Sequence, residues 1–269
     1  MMVVGGACEM PGAVILAATA ALRAGAGKLQ IAAPRSIAQA VAVAVPEARV
    51  FALAETKAGA ISVSAASEII KRVGEVNALL IGPGMIDERM VARLVQKVLP
   101  RAGKVTIVLD AAALSSFKDS PQCLHELDCK AVLTPHAGEM AFMLGIDKAS
   151  IQRDPLAWAR KAASSLGAVV ALKGAETFIA APHHSKTYCN RTGNVGLATS
   201  GSGDTLSGII TGLAARGALP LQAAAWGVYL HARAGDALAK RMGRLGFLAR
   251  ELLAEVPKLM SELERRKKR

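Results

Sequence analysis

The sequence predicts an α/β fold, a three-layer α/β/α sandwich on a mostly parallel central sheet. Three observations predict it. Short β-like runs alternate with longer helical patterns. Several of those runs are unbroken Val, Ile and Leu, as expected of strands covered on both faces. Glycine gathers where strands end and helices begin, the edge at which open α/β sheets take ligands.

In chain order, the glycine-rich stretch 5–13 joins a short strand to a helix over 12–24. Strands are expected at 28–32, 49–53, 78–81, 105–109, 131–133 and 169–172, each an apolar run of strand length. Helical patterns at 64–73, 88–98 and 155–166 lie between them. Runs at 177–181 and 185–189 flank Pro182-His183-His184 and predict an antiparallel hairpin at the sheet edge. From Gly203 onward the pattern is helical. No repeat, linker or composition shift divides the chain, so a single domain is expected over 1–269, with a basic tail from about 264.

Composition narrows the function. Hydrophobic residues are 52% and charged residues 20% of the 269, which excludes a disordered chain. Thirty-three Lys and Arg against 21 Asp and Glu give a net charge of +12. The last six residues, five basic and one acidic, supply +4 of it and are expected to form a solvated, frayed terminus. Such a charge suits nucleic acid, anionic lipid or small phosphorylated ligands. Aromatics at 3% leave few bases-stacking side chains, and no nucleic-acid partner is expected. The apolar runs are too short to span a bilayer, so no membrane is expected either. Residues 1–6 lack the basic and apolar regions of a signal peptide. Cys8, Cys123, Cys129 and Cys189 form no Cys-x-x-Cys pair, and the five histidines lack ligand spacing. No protein metal site is expected, and the chain reads as a reduced, cytoplasmic protein.

Four glycine-bearing segments carry the chemistry. Residues 190–204, NRTGNVGLATSGSGD, lead into an apolar helix over 205–216. Small residues let backbone N–H groups approach an anion, and the helix N-terminus adds partial positive charge. Gly201, Ser202 and Gly203 therefore form a candidate phosphate cradle. Asp204 follows on the first helical turn. A carboxylate is a poor phosphate ligand, but it can take the proton from a hydroxyl attacking phosphorus. A capping acid is the plainer reading, and the length of the motif favours catalysis. In Thr134-Pro135-His136-Ala137-Gly138-Glu139, His136 can donate to a ligand. Equally, the segment can be a helix-entry turn served by Thr134 and Glu139. In Leu172-Lys173-Gly174-Ala175-Glu176-Thr177, Lys173 is either a point charge for a diphosphate or an exposed lysine on a plain turn. Ile81-Gly82-Pro83-Gly84 is a turn signal on the same sheet edge. The stretch 5–13 lacks Gly-x-Gly-x-x-Gly and no acid follows strand 28–32, so a Rossmann dinucleotide site is not expected.

Taken in order, segments 10–27, 81–84, 108–114, 132–139, 172–177 and 190–217 resemble the NAD(P)H-hydrate dehydratases of the ribokinase-like superfamily. TPHAGE together with TGNVGLATSGSGD is the specific combination. The resemblance implies a ribokinase-like fold and repair of the S form of NADH or NADPH hydrated at nicotinamide C6 (NADHX, NADPHX). The hydroxyl is phosphorylated by ADP or ATP with Mg²⁺, and loss of phosphate regenerates NAD(P)H; a homotetramer is implied as well. It implies that Ala13, Gly84, His136 and Asp204 contact the hydrate. Lys173, Gly174, Ala175, Glu176, Thr177 and Gly203 would hold the adenine nucleotide, and Asp204 would be the catalytic acid-base group. The adenine and nicotinamide rings are expected to rest on backbone and aliphatic groups.

Three departures from the family pattern stand out. Ala112 replaces a second acid, leaving Asp110 alone in VLDAAAL. Glu176 stands where a small residue is common. The chain starts at its first strand, without the His-Lys-Gly leader often seen before it. A small-molecule kinase of the same superfamily is the alternative enzyme, and a non-catalytic nucleotide-binding protein the alternative class. Residues 134–139 with 190–196 disfavour a sugar kinase, and Asp204 disfavours loss of catalysis.

Overall fold

The computed structural model describes residues 1–118, 124, 125, 127 and 130–267, with side chains to residue 265. Cys123, Cys129 and the end of the basic tail lie outside the described residues.

Nine strands form one sheet in the order β3-β2-β1-β4-β5-β6-β7-β8-β9. The first seven are β1 (Met2–Val4), β2 (Leu29–Pro34), β3 (Ala48–Leu53), β4 (Ala78–Ile81), β5 (Thr106–Leu109), β6 (Ala131–Leu133) and β7 (Val169–Leu172). They run parallel. β8 (Thr177–Ala180) and β9 (Tyr188–Asn190) add an antiparallel edge. Strand alternation decides which helices cover which face. Leu79 and Ile81 of β4 enter a core with α3 (Ala66–Val73), α4 (Glu88–Val98), α5 (Ala137–Leu144), α6 (Lys148–Arg153) and α7 (Pro155–Leu166). Ala78 and Leu80 enter the opposite core with α1 (Pro11–Arg23), α2 (Arg35–Ala44), α8 (Ser202–Ala215) and α9 (Pro220–Met242). The last helix, α10 (Ala249–Lys267), packs Leu253 and Val256 against α1 and α9. Three layers result, with β1, β2 and β4 to β7 covered on both sides and the edge strand β3 partly exposed.

The expected strands are present, three with unchanged bounds. The hairpin differs in its second arm. Tyr188 pairs with Ile179 and Asn190 with Thr177, so β9 begins three residues later than the expected 185–189 arm. Pro182 lacks an N–H and His183 takes a left-handed φ of 60°, which prolongs the turn. The basic tail is also more ordered than composition implies, since α10 continues through Lys267. Leu259, Met260 and Leu263 anchor it to the α1–α9 layer, and Glu, Leu, Arg and Lys are good helix formers. No helix is long and apolar enough to cross a membrane among the described residues.

Candidate active site

The C-terminal ends of the parallel strands bring the sequence motifs together. After β4, Gly84 takes φ 65°, and a Cβ there would fall 2.8 Å from that of Ala13 on α1. Only glycine permits this approach, so Ala13 and Gly84 form one wall. After β6 and β7, the Lys173 N–H donates to Pro135 O at 2.8 Å. This sets TPHAGE beside LKGAET. A Cβ on Gly203 would lie 3.6 Å from Lys173 Nζ, which brings the start of α8 to the same point.

At that junction a cation is held among three acids. Lys173 Nζ donates to Asp110 Oδ1 at 3.1 Å and stands 3.6 Å from Glu139 Oε2. The Lys173 side chain is 20% exposed, against the reading of a lysine left on a plain turn. Burial pushes its pKa down, but the charges of Asp110, Glu139 and Asp204 outweigh this and raise it. Asp110, buried at the end of β5, also accepts from Thr134 Oγ1 at 2.8 Å. Thr134 therefore serves Asp110 rather than helix α5. The backbone turns sharply after Asp110, with Ala111 at φ 49°. Ala112 packs against the sheet core.

Asp204 lies in the first turn of α8, whose N-cap is Gly201 at φ 83°; no side chain caps this end. Burial and the Asp110 charge push the Asp204 carboxyl up to about 7, with Lys173 opposing them. A group so poised exchanges protons near neutrality.

His136 joins both readings of its segment. It is the N-cap of α5, where Nδ1 accepts from the N–H groups of Gly138 and Glu139 at 3.0 Å each. Glu139 returns the bond by accepting from the His136 N–H at 2.7 Å. Because Nδ1 is an acceptor, a proton sits on Nε2, which stands 3.7 Å from Glu139 Oε2 on an exposed ring that can also face a ligand.

A cavity of about 770 Å³ adjoins this cluster. Lys173, Gly174, Ala175 and Thr177 form one side, and Ser202 and Gly203 lie at the helix start. Leu206, Val228 and Ala232 supply aliphatic surface, and no Phe, Tyr or Trp lines it. Glu176 points elsewhere: its carboxylate accepts from Arg191 Nε at 2.7 Å, so its charge is met within the adjoining loop.

Sequence reasoning missed Asp110 as the partner of Lys173, and also His231 and Asp236. His231 on α9 lines the cavity and its Nε2 lies 3.0 Å from Ser202 Oγ. Its burial lowers the pKa to about 4 and keeps the ring neutral. Asp236, one turn further along α9, accepts from Gly193 N–H at 3.1 Å and from Asn194 Nδ2 at 3.3 Å. The two residues fix the helix start and the Thr192–Asn194 loop to α9. Only the spacing of polar residues on an otherwise apolar helix signals them in the sequence.

Among the described residues no group of three or more His, Cys, Asp or Glu side chains could hold a metal ion. Asp110 and Glu139 instead face the Lys173 ammonium. The arrangement sets the N-terminus of α8, where the Ser202 N–H donates to Thr199 O at 3.2 Å, beside a held cation and a carboxylate able to take a proton.

A family model described as NAD(P)H-hydrate dehydratase matches residues 1–258. The chain is 47% identical over 265 residues to the ADP-dependent (S)-NAD(P)H-hydrate dehydratase of Xanthomonas campestris, covering 98% of this chain and 89% of that one. It is 44% identical over 264 residues to a bifunctional NAD(P)H-hydrate repair enzyme of Moorella thermoacetica, covering 98% of this chain and 49% of that protein's length. Among solved structures, an ADP/ATP-dependent NAD(P)H-hydrate dehydratase of Bacillus subtilis, co-crystallised with ATP and Mg²⁺, superposes with a TM-score of 0.78 at 29% identity. That match covers 97% of this chain and 88% of that one. A ribokinase-like superfamily protein of Enterococcus faecalis gives 0.83 at 26% identity, covering 97% and 86%.

Proposed function

The chain belongs to the NAD(P)H-hydrate dehydratase family, and on that premise we propose how its residues dehydrate the S epimer of NADH or NADPH hydrate with ADP as phosphoryl donor. The observation that carries the reading is the convergence of Asp204, Lys173 and the Gly201–Gly203 helix start beside one cavity.

The donor nucleotide lies along Lys173–Thr177, with its terminal phosphate at the N-terminal end of α8 beside Gly201 and Gly203. Mg²⁺ bound with that nucleotide would neutralise phosphate charge, and because Asp110 and Glu139 are engaged by Lys173 its ligands would come mainly from phosphate and water. The hydrate lies along Ala13 and Gly84, with the His136 Nε2–H as donor to it. Asp204 takes the proton from the C6 hydroxyl as its oxygen bonds to phosphorus, and AMP leaves. The helix start and Lys173 stabilise the transferring charge. Phosphate then departs from C6 and a proton from C5, restoring the C5–C6 double bond of NAD(P)H.

The same reading places the enzyme in the cytoplasm and assembles it as a homotetramer. Replacing Asp204 by Asn tests the chemistry. Turnover should fall at least about a hundredfold, the lower range for general-base loss. Calorimetric binding of ADP with Mg²⁺ should persist. Loss of both together would make Asp204 a structural residue.

A further inference from the structure

A second cavity, of about 620 Å³, is left unused by this chemistry. It shares His136, Lys173, Gly174 and Ala175 with the donor cavity, then extends to α6 and to Phe178 on β8. Its volume suits a ligand fragment of nucleotide size. The half-buried Ala137 and Pro155, with the edge of Phe178, offer apolar surface to a ring, and Gln152 an amide. Lys148 and Gln152 stand four residues apart, on one side of α6. Lys148 is exposed, and no acid among the described residues pairs with it. Neighbouring Asp147 accepts from the Ser150 N–H and hydroxyl. Glu176, the acid in the lining, is held by Arg191. The cavity therefore combines a ring-sized apolar wall with a cation that lacks an anion.

The hydrated dinucleotide has two halves. Its nicotinamide half must bring C6 to Asp204, and the donor nucleotide fills the cavity at the start of α8. The adenylate half needs further room reached past His136. We propose that the second cavity takes the adenylate end of the hydrated dinucleotide, with Lys148 contacting the 2′-phosphate that distinguishes NADPH hydrate from NADH hydrate. This rests on the dehydratase reading above. Lys148 is then a specificity-determining residue on the α6 wall, remote from the reacting atoms.

The test compares the full-length protein with Lys148→Ala and Lys148→Arg on the S forms of both hydrates, with ADP and Mg²⁺ saturating. Lys148→Ala should raise KM for NADPH hydrate about tenfold, the scale of one lost charged hydrogen bond. KM for NADH hydrate, kcat, and KM for ADP should stay within about twofold, well below that scale. Lys148→Arg should restore the NADPH hydrate KM. Equal losses on both hydrates, a rise confined to the ADP KM, or no change would overturn the proposal alone. A wild-type protein that turns over neither hydrate would remove the dehydratase reading and this proposal with it.

Discussion

Asp204 is held between opposing influences: burial and the Asp110 charge favour its protonated form, and Lys173 favours the ionised one. The outcome near 7 has two consequences. A general base must be ionised, so kcat/KM should rise about tenfold per pH unit below 7 and level off above it. A rate flat from pH 5 to 8, roughly the span that brackets such a group, would contradict this assignment. Stability moves the other way. Between pH 3.8 and about 7 the unfolded carboxyl has released its proton and the folded one has not, so stability falls across that window. Asp204→Asn should therefore melt above the parent at pH 8, by an amount worth about 1–4 kcal/mol, and converge with it near pH 4. The placing of Gly201–Gly203 and Asp204 at the start of one helix was legible in the sequence because these residues are consecutive. The pairing of Lys173 with Asp110 joins positions 63 residues apart, which local spacing does not encode. His136 was ambiguous for a physical reason: one ring nitrogen caps α5 while the other stands exposed, 3.7 Å from Glu139 Oε2.

The position of Asp204 depends on how α8 meets α1. Gly208 and Gly212 of α8 face the α1 backbone, and a Cβ at Gly212 would fall 2.5 Å from Ala21 O. At Gly208 an added Cβ would strike Ala17 O. Ala20 and Ala24 complete the contact, so the helices pack at backbone distance. Ala13 lies near the start of α1 and Asp204 near the start of α8; this contact sets the Ala13–Gly84 wall relative to the Asp204 carboxyl. Gly208→Val should cost at least about 1–3 kcal/mol, the usual penalty for overpacking. Chemical denaturation reads the loss, and an unchanged midpoint would show that the helices have room to spare. Strands β4, β6 and β7 were legible to the residue because both faces are buried and their apolar runs are unbroken. The arm β9 was not, since its start is set by a turn around His183 and its exposed residues carry no pattern.

Across the whole molecule the positive charge has several local duties. Lys173 is bound into the site, Arg191 answers Glu176, and Arg241 and Lys258 pair with the buried Glu255 to join α9 and α10. The low aromatic content is matched in the larger cavity, which no Phe, Tyr or Trp lines among the described residues, while Phe178 lines the second cavity. Exposed Leu219 and Trp226 on and beside α9 leave apolar surface for association. Light scattering should give about four times 27.8 kDa if the homotetramer forms. A mass of 27.8 kDa at micromolar concentration would refute it. Dehydration driven by phosphoryl transfer is tested most directly by a wild-type time course with S-NADPH hydrate, ADP and Mg²⁺. Near-ultraviolet absorbance of the dihydronicotinamide should return, with one AMP and one free phosphate for each NADPH formed. No recovery with ADP or ATP, or phosphate retained on the substrate as in a kinase, would contradict it.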